Sequence, residues 1–130
     1  VRVILDTSFL IDLFDGRRDA FERGLELSEQ RAVQRVPSPV VMELSYGAAF
    51  GDEDERRKVR NALRMYPVVE QDETIARRAG QLLARADAGG DSGIDKVDPM
   101  VAAVGDLHDE PVLTANATDF RTLGVDVETY

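Results

Sequence analysis

Cysteine is absent from the 130 residues and histidine occurs once. The first absence removes disulfides, zinc–thiolate sites and a thiol nucleophile together, and it makes no demand for an oxidising compartment. The second leaves no histidine cluster for a transition metal. Lysine is almost missing as well, since 14 of the 16 basic residues are arginine. No apolar run reaches the roughly 18 residues of a membrane span, and the sequence opens directly on a strand pattern, so neither a span nor a signal peptide is expected. Neither GxGxxG nor GxxxxGK[ST] occurs, which removes the usual dinucleotide and P-loop sites. The expectation is one cytoplasmic domain across residues 1–130, long enough for a core without staples.

What the chain has in excess is acid. With 25 Asp and Glu against 16 Lys and Arg, the formal net charge is -9. At low ionic strength such a surface repels nucleic acid. Scarce lysine beside abundant carboxylate also resembles a halophile-like composition, for which high salt screens the repulsion and net charge says nothing about the substrate.

Apolar runs and helical spacings alternate along the chain. Val3-Ile4-Leu5 reads as a buried strand, ended by Asp6 with Thr7 and Ser8 able to start a helix. Phe9, Leu10, Leu13 and Phe14 continue at helical spacing as far as Asp15-Gly16. A second helix is expected from Asp19 to Gln30, with Phe21 and Leu25 inward and Glu22, Glu26 and Glu29 outward. A short strand at 35–38 leads to Ser38-Pro39, a cap followed by proline at the first helical position. The third helix carries Val40, Val41, Leu44 and Ala48, with Glu43 set among them. A fourth runs from Asp52 to Arg64 and displays Arg56, Arg60 and Arg64 as a stripe, whose plain reading is a solvated face balanced by Asp52 to Glu55.

Strands at 67–70, 111–114 and 125–128 and helices at 72–86 and from Asp98 complete the pattern. Gly89, Gly90 and Gly93 mark a mobile loop between the last two helices. Strands alternating with helices predict an α/β three-layer sandwich, a mainly parallel sheet of about five strands flanked by helices.

Four acids stand at comparable places: Asp6 after the first strand, Glu43 in an apolar helix, Asp98 at a helix start and Asp119 after the fourth strand. In parallel sheets ligands bind at the carboxyl ends of the strands, so Asp6 and the segment from Thr114 to Asp119 belong to one edge. Gathered carboxylates repel and raise one another's pKa unless a cation joins them. Oxygen-only donors select Mg²⁺ or Mn²⁺, which keep water and suit phosphodiester hydrolysis by metal-activated water. Three of the four also have a plainer role, Asp6 and Asp98 as caps and Asp119 as a turn residue, whereas Glu43, ionised among Val41, Met42 and Leu44, needs a partner. Asp95 competes with Asp98, and His108 is a surface or capping group.

The segments LDTSFLID from Leu5, ELSYG from Glu43, DPMVAA from Asp98 and VLTANATDF ending at Phe120 resemble the PIN-domain nucleases, specifically the VapC-type toxins of toxin–antitoxin pairs. That resemblance spans nearly the whole chain. It implies a PIN-like fold and a Mg²⁺- or Mn²⁺-dependent endoribonuclease. Asp6 and Asp98 would be the main metal ligands, with Glu43 and Asp119 completing the acidic cluster. Thr114 and Asn116 would be supporting polar groups, and either Asn116 or Asp119 stands where many relatives carry an acid. A cognate antitoxin and a homodimer are implied partners. RNA would be held by Arg17, Arg18, Arg56, Arg60 or Arg64. A non-catalytic RNA- or protein-binding module, or a phosphohydrolase of small phosphate esters, are the alternatives.

Overall fold

The computed structural model describes residues 1–130 as five strands and seven helices: β1 Arg2–Leu5, α1 Thr7–Phe14, α2 Arg18–Glu29, β2 Val33–Pro37, α3 Ser38–Ala49, α4 Glu53–Leu63, β3 Val68–Val69, α5 Glu73–Ala86, α6 Val97–His108, β4 Val112–Leu113, α7 Ala117–Thr122 and β5 Val127–Glu128. The sheet order is β3-β2-β1-β4-β5, and every pairing is parallel. The expected five-stranded α/β sandwich is therefore present, with β3, β4 and β5 only two residues long, shorter than the pattern suggested, and β1 and β2 one residue longer. No helix is long and apolar enough to cross a membrane.

The continuous apolar run at 3–5 makes β1 the central strand. Val3, Ile4 and Leu5 have no exposed surface, because helices cover both faces and neighbouring strands cover both edges. Ile4 pairs with Arg35 on one side and Val112 on the other, and Leu5 pairs with Leu113. All strands point one way, so everything that follows β1 and β4 emerges on one edge of the sheet.

Phe21 and Leu25 do not face inward; they are 52% and 48% exposed, and α2 buries Ala20 and Leu27 instead. The reason is a small residue. A Cβ at Gly24 would lie 3.2 Å from Leu13 Cδ1, so α2 meets α1 along its Ala20–Gly24–Leu27 stripe and turns its larger side chains outward.

At the opposite edge, α6 ends with Asp109 in the left-handed region (φ 53°) and the Glu110 amide donates to Gly105 O at 2.9 Å. Gly105 is required there, since a Cβ would sit 2.7 Å from Glu110 O. The turn delivers the Glu110 carboxylate into the sheet, where Arg2 Nε and Arg35 Nη2 donate to its Oε1 at 2.9 and 2.6 Å. The glycine-rich stretch after α5 is tied to Asp87, whose Oδ1 accepts from both the amide and the hydroxyl of Ser92.

Candidate functional site

Where β1 leaves the sheet, Asp6 occupies the N-cap position of α1 with extended backbone, yet its side chain makes no capping hydrogen bond. The carboxylate is 4% exposed and takes two hydroxyls on Oδ2: Thr114 Oγ1 at 2.7 Å and Ser8 Oγ at 3.0 Å. Thr114 is fully buried just beyond β4, held level with Asp6 because the Asp6 amide donates to Leu113 O at 3.1 Å. Behind the hydroxyls stand two amides, Ala115 N donating to Ser8 Oγ at 2.9 Å and Asn116 N to Thr114 Oγ1 at 2.8 Å. Each hydroxyl has one proton to give. With both protons committed to Asp6, the 3.1 Å contact between Ser8 and Thr114 carries none, and the network is polarised from amide to hydroxyl to carboxylate.

Asp98 lies in the first turn of α6, one residue after the helix begins. The helix-start role belongs to Asp95, whose Oδ1 accepts from Val97 N at 2.8 Å. The Asp98 carboxylate is left for the site, and Asn116 Nδ2 donates to Asp98 Oδ2 and Asp119 Oδ2, both at 3.0 Å. One amide thus spends its two protons holding two acids apart. Asn116 and Asp119 are both in the cluster rather than alternatives to one another. Glu43 enters from α3, where its Oε1 accepts from Thr7 Oγ1 at 2.6 Å.

The electrostatics follow from this crowding. Burial raises the Asp6 pKa above the usual carboxylate range, opposed by the Thr114 hydroxyl, the Thr7 amide and the hydroxyl and amide of Ser8. Asp98 is pushed up to about 7, first by burial and then by the charges of Asp6, Asp95, Asp119 and Glu43. Every hydrogen-bond donor to the cluster is neutral, and none of the ion pairs of the protein includes Asp6, Glu43, Asp98 or Asp119. The donor set is all oxygen and short of positive charge, which fits a hard divalent cation. No three acids converge into a closed metal cage. The spread suits an ion that takes one or two carboxylates and keeps several waters, as Mg²⁺ does.

The single histidine is elsewhere, with His108 Nδ1 2.8 Å from Val104 O at the far end of α6. Of the arginines expected to face RNA, Arg17 pairs with Asp19, Arg18 with Glu22, and Arg56 and Arg60 both with Glu53, while Arg64 is in no ion pair. Thr7 and Ser8 carry more of the site than their place in the sequence conveys. Lys58 lines a groove of about 350 Å³ together with Asp15, Glu43 and Glu55.

A family model described as the PIN domain matches residues 3–125. Among solved structures, a VapBC2 complex from Rickettsia felis bound to a promoter DNA fragment superposes with a TM-score of 0.86 at 19% identity, covering 100% of this chain and 99% of that one. A toxin–antitoxin complex from Klebsiella pneumoniae gives 0.73 at 26% identity, over 91% and 89% of the two chains. DNA-bound VapBC from Salmonella typhimurium gives 0.81 at 22% identity, over 99% and 98%. No curated protein sequence matches the chain significantly.

Proposed function

The chain belongs to the PIN-domain family, and from that premise we propose that it is a divalent-cation-dependent endoribonuclease, the toxin of a VapBC-type pair, that hydrolyses RNA phosphodiesters. One observation carries the reading. Asp6 and Asp98 are held together at the carboxyl edge of the sheet with raised pKa values and no basic side chain to neutralise them. A purely structural cluster of this kind costs stability and returns nothing, whereas a cation or a basic group from a partner would offset the repulsion.

Asp6 and Asp98 would hold the cation, with Glu43 and Asp119 adding negative charge around it. When bound, Mg²⁺ or Mn²⁺ supplies positive charge to the phosphate oxygens and lowers the pKa of a coordinated water. The protein's own contribution is positioning. Thr114 and Ser8 fix Asp6 Oδ2 through their hydroxyls, and Asn116 fixes the Oδ2 atoms of Asp98 and Asp119. Glu43 is anchored through Oε1 by Thr7, so its Oε2 is available to take a proton from the attacking water.

The partner reading rests on the similar solved structures, which are VapBC and toxin–antitoxin complexes. An antitoxin that blocks this chain would bring a basic side chain to the acids, and a homodimer is the proposed assembly.

The test is cleavage of an unstructured RNA in Mn²⁺ by the parent chain, Asp6→Asn and Asp98→Asn, with a small phosphate monoester assayed alongside. Cleavage of RNA by the parent alone is the expected result. Retained cleavage in both variants, or turnover of the ester with RNA intact, would sink the reading.

A further inference from the structure

Asp12 stands where a helix is least hospitable to it. It lies in the last turn of α1, where the carbonyl ends concentrate partial negative charge, and no basic residue accompanies it in that turn. None of the ion pairs of the protein includes it. Its carboxylate is taken instead by a phenol: Tyr130 Oη donates to Asp12 Oδ2 at 2.6 Å, across 118 positions of sequence. The same ring meets Phe9, which has no exposed surface, edge to face with ring centroids 5.1 Å apart at 74°. Burial, and after it the bond to Asp12, holds the Tyr130 phenol above its ordinary pKa, so it remains a donor.

Two further contacts join this pair to the acids. Ser8 and Asp12 are four residues apart on α1 and so share a face of the helix. Ser8 donates to Asp6 Oδ2 at 3.0 Å while accepting from the Ala115 amide at 2.9 Å. Tyr130 follows Glu128 by two residues, and Glu128 O accepts from the Thr114 amide at 3.1 Å while its Oε2 takes Arg23 Nη2 of α2 at 2.8 Å. The contacts close into a ring: Asp6 to Thr114, Thr114 to Glu128, along the chain to Tyr130, across to Asp12, and back one turn of α1 to Ser8 and Asp6. In a closed ring α1 cannot turn about its axis without either breaking the Tyr130 bond or drawing Ser8 away from Asp6.

We propose that Tyr130 is a positioning residue for the acidic site: its hydroxyl, acting through Asp12, fixes the seating of α1 and so holds Ser8 against Asp6. This deepens the cation-dependent reading, on which its effect on metal affinity rests. Groups outside the ligands of a metal orient those ligands, and losing one weakens affinity roughly 10–100-fold; Tyr130 stands further out, so its loss belongs at the lower end of that range. The unfavourable acid at the end of α1 is thereby accounted for, since an apolar residue at position 12 would give the phenol nothing to hold.

The experiment compares the full chain with three variants. Tyr130→Phe keeps the ring on Phe9 and removes the donor, Asp12→Ala removes the acceptor, and Asp12→Asn retains a carbonyl oxygen that can accept. Two quantities are read where every variant is fully folded by circular dichroism: Mn²⁺ affinity by electron paramagnetic resonance and, in EDTA, hydrogen exchange of the Ala115 and Ile4 amides by NMR. Tyr130→Phe and Asp12→Ala should each weaken Mn²⁺ binding about tenfold and speed Ala115 exchange by a similar factor, with Ile4 unchanged. The double variant should lose no more than either single one, and Asp12→Asn should stay within about twofold of the parent. A role confined to stability gives a different pattern, a lower melting temperature with Mn²⁺ affinity and Ala115 exchange as in the parent, and that result would overturn the proposal. So would losses that add in the double variant, because the two residues would then act separately. If the parent chain itself binds no Mn²⁺, the cation reading fails, and Ala115 exchange in Tyr130→Phe still decides the positioning role: faster exchange upholds it and unchanged exchange ends it.

Discussion

Thr114 donates its hydroxyl proton to Asp6 across 108 positions of sequence, at 2.7 Å and out of contact with solvent. The bond joins the ends of β4 and β1 and fixes one oxygen of the most buried acid in the site. Thr114→Val keeps the shape and removes the proton. The expected result is a loss of about 1–3 kcal/mol in unfolding free energy, from the missing bond to a charged group, and a cation affinity weakened roughly 10–100-fold, as when an outer-shell partner is lost. Denaturant titration with and without Mn²⁺ measures both.

Asp98→Asn separates stability from activity. Asparagine removes a charge that four neighbouring acids oppose, so the variant should unfold in chelator at a temperature no lower than the parent. Its RNA cleavage should fall by more than the roughly 10–100-fold typical of an outer-shell loss. A thermal melt in EDTA and a cleavage assay in Mn²⁺ read the two halves.

The same residue sets a pH dependence. In the folded chain Asp98 titrates near 7 and in the unfolded chain near 3.8. Below the lower value both states are protonated, and above the upper value both are ionised. Between them the folded state holds more protons, so in chelator stability falls as pH rises from about 4 to 7, with Asp6 acting in the same direction. Melts at intervals across that window should trace the decline, and Asp98→Asn should flatten it.

Asn116→Asp replaces the shared amide donor with a fifth charge. The acids then face one another with no proton between them, so the chain should lose stability in EDTA and regain it with Mn²⁺. Ligand binding to the folded state adds about 2.7 kcal/mol at a hundredfold excess over Kd. The measurable result is a wider gap between EDTA and Mn²⁺ melting temperatures than the parent gives, and an unchanged gap would refute it.

Glu110 provides a control at the other edge of the sheet. Its Oε1 carries both Arg2 and Arg35, and its side chain is 2% exposed. Glu110→Gln should cost about 2–4 kcal/mol, because it leaves Arg35 partly buried without its counter-charge. The melting temperature should drop by about 10 °C. Cleavage at 20 °C per folded molecule should match the parent, since none of these groups touches the acids.

What the sequence makes legible depends on how local the cause is. The buried run at 3–5 and the acid that ends it announce themselves, because a central parallel strand must be apolar throughout and the residue after it emerges on the ligand edge. The order of strands and helices follows in the same way. The facing of α2 does not, since Gly24 against Leu13 decides it, and a residue without a side chain leaves no apolar signal. The division of labour between Asp95 and Asp98 turns on one residue of helix boundary, which spacing alone does not resolve. Nor can a pattern say that Thr7 and Ser8 point into the site, when the groups they meet are 36 and 106 residues away. The arginine stripe on α4 is legible in its plain form, a solvated face balanced by nearby acids, because its partner is local: Glu53, on the same helix, accepts from both Arg56 and Arg60.

The order β3-β2-β1-β4-β5 has a consequence in time as well as in space. β1 is made first and can pair with β2 as soon as Val33 to Pro37 has emerged, but its other edge stays open until Val112 and Leu113 arrive. Only then do Thr114, Asn116 and Asp119 come up beside Asp6. A nascent chain that has reached Val97 holds three of the five strands and, of the four acids, only Asp6 and Glu43. Whatever chemistry the acids perform is withheld from the nascent chain and switched on by the docking of a two-residue strand.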